Sequence, residues 1–346
     1  LPGDAGRVNI SADQLTLKGA MLFTHADAAR GGELDISASR ILIGSGQAAP
    51  SGVLSLDTAD LNATGASLLV IGGRREGVNL QASATEVTVD NAGQTLTGAD
   101  VVLVANGRVE LKAGAGIQAT GTRAATATSA ATDALTLSGD GALLRVSNDV
   151  AASSVRTNAV RAAGDLVIGA AVQLQGASIT AEATHATTLA SDARVLASSV
   201  TLGANRMAVG PVDATQVGDT TLVITPALAA QLDKTGSLTL RSFDGIDFFG
   251  ASSLGSSTVR SLTIDAGSLH VVGNSAGNNV GNSASAHIEA GGVRLVNTSG
   301  SDSSVTIGSG QLQIVASGAA GGTAVAGGCT VDGPAGAPWV TFVTGI

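Results

Sequence analysis

Apolar residues recur along this chain in pairs separated by a single polar or small position. Val8/Ile10, Leu34/Ile36, Ile41/Ile43, Leu54/Leu56, Leu68/Val70, Val101/Leu103, Val109/Leu111, Leu135/Leu137, Leu166/Ile168, Val200/Leu202, Leu238/Leu240, Leu262/Ile264, Val293/Leu295 and Leu312/Ile314 all follow the rule. A period of two puts alternate side chains on one face, so each pair predicts a short strand with one buried face. In Arg108-Val109-Glu110-Leu111-Lys112 every second side chain is ionic, which predicts a wet opposite face. Within a group the strands begin about seven residues apart, at 8 and 15, 34 and 41, 54, 61 and 68, 262 and 269, and 305 and 312. Three such steps return the chain after roughly twenty residues, the period of a β-solenoid. The gaps are too short for an α-helical crossover, which needs about a dozen residues. A sandwich has less regular spacing and a more aromatic core. The predicted fold is all-β, a right-handed parallel β-helix (β-solenoid) with a short helical interruption.

That interruption is read from Thr225 to Gly236. Thr225 suits the N-cap, Pro226 the first helical position and Gly236 the C-terminal stop. Leu228 and Leu232, four apart, give one apolar stripe. Gly210-Pro211 breaks the strand pattern before it. The expected organisation is therefore β-helix coils over 1–209, the interruption over 210–236, coils resumed over 237–317, and a Gly/Ala/Pro-rich tail over 318–346 as a candidate end cover. Gly273–Ser285 and Gly318–Gly328 read as loops. The last apolar run, Trp339–Ile346, has no visible partner strand.

Composition sharpens this picture. The 346 residues are 44% apolar, yet contain no Tyr, one Trp and five Phe. A core of Val, Leu, Ile and Ala must then be filled in many thin layers. Forty-seven glycines beside only 13% charged residues fit many tight corners. The net charge of −9, with no basic run beyond Arg74-Arg75, argues against nucleic acid as a partner, since phosphate binding needs a clustered positive field. One cysteine, Cys329, allows no internal disulfide. No run of eighteen apolar residues is present, so no transmembrane helix is expected. The chain opens Leu1-Pro2-Gly3 without an initiating Met, which is read as a segment of a longer exported chain.

Segments 54–77 (LSLDTADLNATGASLLVIGGRREG), 100–121 (DVVLVANGRVELKAGAGIQATG), 135–150 (LTLSGDGALLRVSNDV) and 236–250 (GSLTLRSFDGIDFFG) resemble the large filamentous haemagglutinin-family exoproteins of Gram-negative bacteria. The resemblance covers most of residues 1–315. These are two-partner secretion passengers, exported through a dedicated outer-membrane transporter. The resemblance implies a β-helical shaft, secretion or display on the outer cell surface, and a role in adhesion or biofilm contact with host or bacterial glycans or receptors. It also implies, as alternatives, the delivery shaft of a contact-dependent inhibition toxin. The family's Asn-Pro-Asn secretion motif is absent, which points to an interior or distal segment.

Parallel β-helices also include polysaccharide-active enzymes, which need clustered carboxylates, or a metal with a basic residue, in a groove that grips sugars. Asp244 and Asp247 are the best carboxylate pair, since acid/base hydrolysis needs two carboxyls about 5–10 Å apart. On a strand, however, residues three apart point to opposite faces, and the pair reads as a turn before a buried Phe248. Asp57 and Asp60 read as corner or outward residues. His25, His185, His270 and His287 lack metal-ligand spacing, although His270 and His287 could meet on adjacent coils. Gly31-Gly32 and Gly72-Gly73 are not phosphate loops, because no Lys-Ser/Thr follows. Ala326-Gly327-Gly328-Cys329 only faintly echoes a lipobox. The expectation is a chain that is not an enzyme, with no catalytic, cofactor-binding or metal residues. Its ionisable side chains should lie on wet outer faces in ordinary solvated surroundings.

Overall fold

Runs such as Val101-Val102-Leu103-Val104 are rich in β-branched residues and are bounded by turn-formers, so they extend rather than coil. The computed structural model describes residues 3–13, 15, 23, 29, 31–122, 134–212, 214–272, 284–298, 304–306, 311–316, 323–325, 330–332 and 340–344. It is mostly β, with its strands paired largely in parallel and two α-helices among the described residues. The chain divides into two units, Leu1–Ala197 and Ser198–Ile346.

In the first unit the chain feeds three ladders in turn. Asp100–Ala105, Arg108–Leu111 and Gly116–Ala119 each join a different sheet. The expected twenty-residue return is met where strands of one ladder start at 86 and 108, and again at 165 and 186. Between 108 and 165 the return is stretched by inserted strands. Equivalent side chains stack in register: Leu34 beside Leu69 beside Val101, and Ile36 beside Ile71 beside Leu103. All six are at most 1% exposed. Fully burying one such side chain is worth roughly 1.5–3 kcal/mol.

The second unit repeats the pattern with greater regularity. One ladder runs Ser199–Ala204, Ser237–Ser242, Ser261–Asp265, Gly292–Val296 and Thr323–Val325. Its inward rows are Val200, Leu238, Leu262, Val293 and Leu202, Leu240, Ile264, Leu295. From Ser237 onward the chain visits two other ladders between successive strands of this one, for example through Gly245–Phe249 and Ala251–Gly255; between Ala204 and Ser237 it makes two strands of a single ladder, Arg206–Val209 and Thr221–Ile224.

The helix expected after Thr225 forms over Pro226–Leu232. Thr225 caps it by accepting from the Leu228 N–H, and Leu228 and Leu232 are buried. The stretch before it is not free of strands, because Thr221–Ile224 pairs with Arg206–Val209. Other expectations are corrected. Leu61 does not open a strand; it is buried on a second helix, Thr58–Ala63, whose N-cap Asp57 accepts from the N–H groups of Ala59 and Asp60. Asp57 is thus a cap rather than a plain corner residue. The run at the end of the chain has a partner: Val340–Thr344 pairs in parallel with Gln311–Ala316. Thr323–Val325 is a strand inside the presumed loop 318–328, and the rest of that loop lies outside the described residues. So do residues 273–283 of the other presumed loop, Leu17 and Ile307 of the strands expected to begin at 15 and 305, and Trp339 of the terminal apolar run.

The largest departure is a fourth sheet in the first unit. Gly73–Glu76 and Asn79–Ala82 form an antiparallel hairpin, followed in the sheet by Leu135–Ser138 and Ser154–Thr157. This sheet covers the outer face of the ladder built on Leu68–Ile71, Asp100–Ala105 and Ala142–Ser147. Leu68, Val70, Val102, Val104 and Leu143 from below pack with Leu80, Leu135 and Leu137 from above. Those ladder strands are consequently buried along their whole length rather than wet on one side. Ala142–Ser147 also runs antiparallel to both neighbours, Asp100–Ala105 and Ser178–Ala183, against the expectation of parallel strands throughout. Two glycines carry the chain between the layers. Gly72 (φ 92°) and Gly141 (φ 152°) sit where a Cβ would lie 2.0 Å from the Val104 carbonyl oxygen and 2.6 Å from that of Ala105, so no other residue fits.

Covering the outer face traps charge. Arg145 reaches both oxygens of Asp100 at 2.6 and 3.0 Å, with side chains 2% and 0% exposed. Arg156 bonds Glu182 at 2.6 Å. Arg75 pairs with Glu33, and its N–H donates to Asp35 at 2.9 Å. The expectation that ionisable groups stay on wet faces fails here, because the covering sheet removes the water from an outward row and each charge is matched instead. Asp100→Ala leaves the Arg145 guanidinium buried without its carboxylate, and a loss of roughly 3–5 kcal/mol is expected in urea unfolding. Asp100→Leu combined with Arg145→Met should recover most of that loss. A cost below about 1 kcal/mol for Asp100→Ala would mean that the pair is not buried as described.

Candidate functional site

The two aspartates singled out in the sequence do come together in the second unit. Asp244 lies in the bend that ends Ser237–Ser242, outside the strand Gly245–Phe249, so strand alternation does not separate it from Asp247. Both reach one guanidinium. Arg206, on Arg206–Val209, donates from Nε and Nη2 to the two oxygens of Asp247 at 2.7 and 2.8 Å. It also donates from Nη1 to Asp244 at 2.5 Å. His270, one strand further along, places Nδ1 2.8 Å from the same Asp247. Register sets this up, since Ala208, Asp247 and His270 are cross-ladder neighbours. The buried Phe248 expected behind the turn is 0% exposed.

The hydrogen bond to Asp247 is the main cause that raises the Arg206 pKa above its ordinary value, against the opposing effect of burial. The bidentate Arg–carboxylate fork is a strong and geometrically specific contact. Both carboxyls are therefore engaged by one guanidinium. The Asp247–His270 pair has the orientation of a carboxylate holding a histidine. The cluster cross-links three neighbouring strands.

The other nominated residues stay apart. His185 bonds Asp165 at 2.8 Å. His287 lies 2.9 Å from Gln313 and 3.5 Å from Glu289, on a different sheet from His270. Among the described residues, no group of three His, Cys, Asp or Glu side chains is placed to hold a metal ion. His25 and Cys329 lie outside the described residues.

No protein-family model, no curated protein and no solved structure matches this chain.

Register exposes outward rows that single strands conceal. In the first unit Arg40, Glu86, Arg108 and Asp165 stand one beside another along a ladder with alternating charge, and Arg40 bonds Glu86 at 3.0 Å. In the second unit Ser199, Ser237 and Ser261 form one row, and Thr201, Thr239, Thr263 and Arg294 another. Each residue stands just before or between the two inward apolar positions of its strand, which is the only sequence signal for it. Asp140 gave no signal. Its carboxylate accepts four backbone N–H groups, those of Val160, Arg161, Ala162 and Ala163, at 2.7–3.2 Å. It thereby pins the 158–163 turn, where Asn158 and Arg161 have positive φ.

Two outcomes follow from this geometry. Asp247→Ala removes the bidentate partner of Arg206 and the carboxylate bonded to His270 Nδ1. Allowing for the 33% exposure of the Arg206 side chain, a loss of roughly 1–2 kcal/mol is expected by urea unfolding. An unchanged midpoint would show that the cluster holds nothing together. For Asp140, partial burial raises the carboxyl pKa, but the four backbone N–H bonds outweigh it and leave it below the usual carboxylate range. A pKa depressed on folding contributes stability that is fully present above the unfolded value of about 3.9 and is lost as pH falls through the folded value. Asp140→Asn should therefore be less stable at neutral pH, and its stability should fall less steeply in acid than that of the wild type. Parallel acid-unfolding curves for the two proteins would contradict the assignment.

Proposed function

We propose that each unit is a stretch of right-handed parallel β-helix, and that the chain is a structural shaft of a secreted or surface-displayed bacterial adhesin of the filamentous haemagglutinin kind. In the second unit the visits to three ladders in rotation from Ser237 onward support the solenoid reading. The observation that carries the functional reading is the set of in-register outward rows, Ser199/Ser237/Ser261 and Thr201/Thr239/Thr263/Arg294. Such rows offer the same small polar groups again and again at the strand spacing of about 4.8 Å. Repeated weak contacts gain strength by multivalency rather than from one deep site. The engagement of Asp244 and Asp247 by Arg206 supports a role without catalysis. In the full-length protein, an outer-membrane two-partner secretion transporter would export the shaft, and surface glycans or receptors would be its targets.

The test is adhesion of beads carrying the chain at high and low density to epithelial and bacterial cells. Dense beads should bind at least about tenfold better than sparse beads at equal total protein. Binding no better than that of albumin-coated beads at any density would sink the adhesin reading. Release of reducing sugar from any polysaccharide, lost in Asp244→Ala/Asp247→Ala, would replace it with an enzyme.

A further inference from the structure

In the first unit, the residue just before each strand of one ladder belongs to a corner column. Thr85, Gly107, Gly164 and His185 precede Glu86–Asp90, Arg108–Leu111, Asp165–Ile168 and Ala186–Leu189, which are neighbours in that order. Backbone bonds tie the column together. The Arg108 N–H donates to the Thr85 carbonyl, that of Asp165 to Gly107 and that of His185 to Gly164, at 2.7–2.9 Å. Close backbone approach requires both glycines: a Cβ at Gly107 would lie 2.5 Å from the Thr85 carbonyl oxygen, and one at Gly164 2.5 Å from that of Gly141. The column therefore has no side chain at its two middle positions, between Thr85 and His185, which stand about 14 Å apart at three strand spacings. A cleft of about 510 Å³ opens along it, within the roughly 300–1,000 Å³ of ligand clefts. Its lining includes Ala162 and Ala163, whose N–H groups Asp140 pins at 2.8 and 3.2 Å.

The charged row beside this column is only half paired. Arg40 and Glu86 are joined at 3.0 Å. Arg108 and Asp165 are likewise of opposite charge and directly opposite in register, and such neighbours ordinarily attract. Yet no hydrogen bond or ion pair joins these two among the described residues. Arg108 turns Nε toward Glu110 at 3.4 Å, and Asp165 gives Oδ1 to His185 Nδ1 at 2.8 Å. That leaves the two terminal nitrogens of Arg108 as donors, Asp165 Oδ2 as an acceptor and His185 Nε2 as either. All three residues line the cleft.

We propose that this cleft binds a small carboxylate carrying a hydrogen-bond donor on the neighbouring carbon, either the hydroxyl of a sugar acid or the ammonium of an amino acid. The carboxylate pairs with Arg108, whose planar fork matches two carboxylate oxygens. The neighbouring donor goes to Asp165 Oδ2, and His185 Nε2 adds a contact to either end. One ligand thus supplies both partners that the two side chains do not give each other. The lining has no aromatic ring on which an uncharged sugar could stack, so recognition falls to the charges. The Arg108 and Asp165 side chains are 42% and 35% exposed, which makes the binding weak and reversible. The inference does not rest on the proposed shaft role and fails or stands independently of adhesion.

The test is backbone NMR of the isotope-labelled chain titrated separately with D-gluconate, L-alanine, acetate and D-glucose at matched ionic strength. At least one of the first two should shift the amides of Gly107, Arg108, Gly164, Asp165 and His185 saturably. The tighter of the two shows whether the donor is a hydroxyl or an ammonium. Acetate lacks the donor and glucose lacks the carboxylate, so each should bind at least about tenfold more weakly. Arg108→Gln and Asp165→Asn should each weaken binding by a similar factor while leaving amide shifts elsewhere in place. No saturable shift with gluconate or alanine, or acetate or glucose binding as tightly as the better of them, overturns the proposal whether or not the variants fold. Full affinity in Asp165→Asn also overturns it, in favour of a simple anion site at Arg108.

Discussion

Every feature of this protein rests on the demand that a buried strand have its N–H and C=O groups paired on both edges. Short strands cannot meet that demand alone. Here most are completed by the strand lying next to them in a parallel ladder, as Leu238 beside Leu262 and Val293 illustrates. Keeping the register also keeps the faces, because a slip of one residue would turn Leu238 and Leu240 outward and Thr239 inward. The apolar rows that make the core and the polar rows that make the surface are thus one consequence of the same hydrogen bonds. Ladders of this kind also explain how a core with so few aromatics holds together. Each strand needs only about two inward apolar side chains, such as Leu238 and Leu240, supported on either side by their equivalents on the neighbouring strands.

The first unit adds a layer to this scheme, and the layer changes the chemistry of what it covers. An outward row that would be solvated in a bare ladder becomes an interface once the sheet containing Asn79–Ala82 and Leu135–Ser138 lies over it. Apolar residues at Val102, Val104 and Leu143 suit that burial. The charges at Glu33, Asp100 and Glu182 do not, and each acquires an arginine. Two of those arginines, Arg75 and Arg156, come from the covering sheet itself, so the ion pairs fix where that sheet sits as well as neutralising the carboxylates. Pairs of this type add little stability over an apolar replacement but penalise a misplaced layer heavily.

In the second unit the same logic works at the surface. Arg206, Asp244, Asp247 and His270 come from successive strands and the bend between two of them, and they tie those strands together with the geometry of a clamp. A pair of carboxylates that looks like acid/base machinery in one dimension is, in three, the counter-charge of one guanidinium. Asp140 shows a related economy, with a single carboxylate holding four consecutive N–H groups of a turn.

Alternation of apolar residues, glycine at corners and the Thr225-Pro226 cap were legible in the sequence because they act over two to four residues. The strands at Leu34/Ile36, Val109/Leu111 and Leu238/Leu240 and the helix at Pro226–Leu232 follow from them. The helix at Thr58–Ala63 was legible in the same sense, through Asp57 as a cap, but the seven-residue strand spacing concealed it. Which strand lies beside which depends on contacts tens of residues apart, and no local signal carries that information. Asp100 and Arg145 are 45 positions apart, Arg206 and His270 are 64. The covering sheet, the reversal of Ala142–Ser147, the buried ion pairs and the cleft beside Asp165 were therefore settled only by tertiary structure. A strand's outer face is wet or dry according to what folds over it, and the sequence of that strand is the same in both cases.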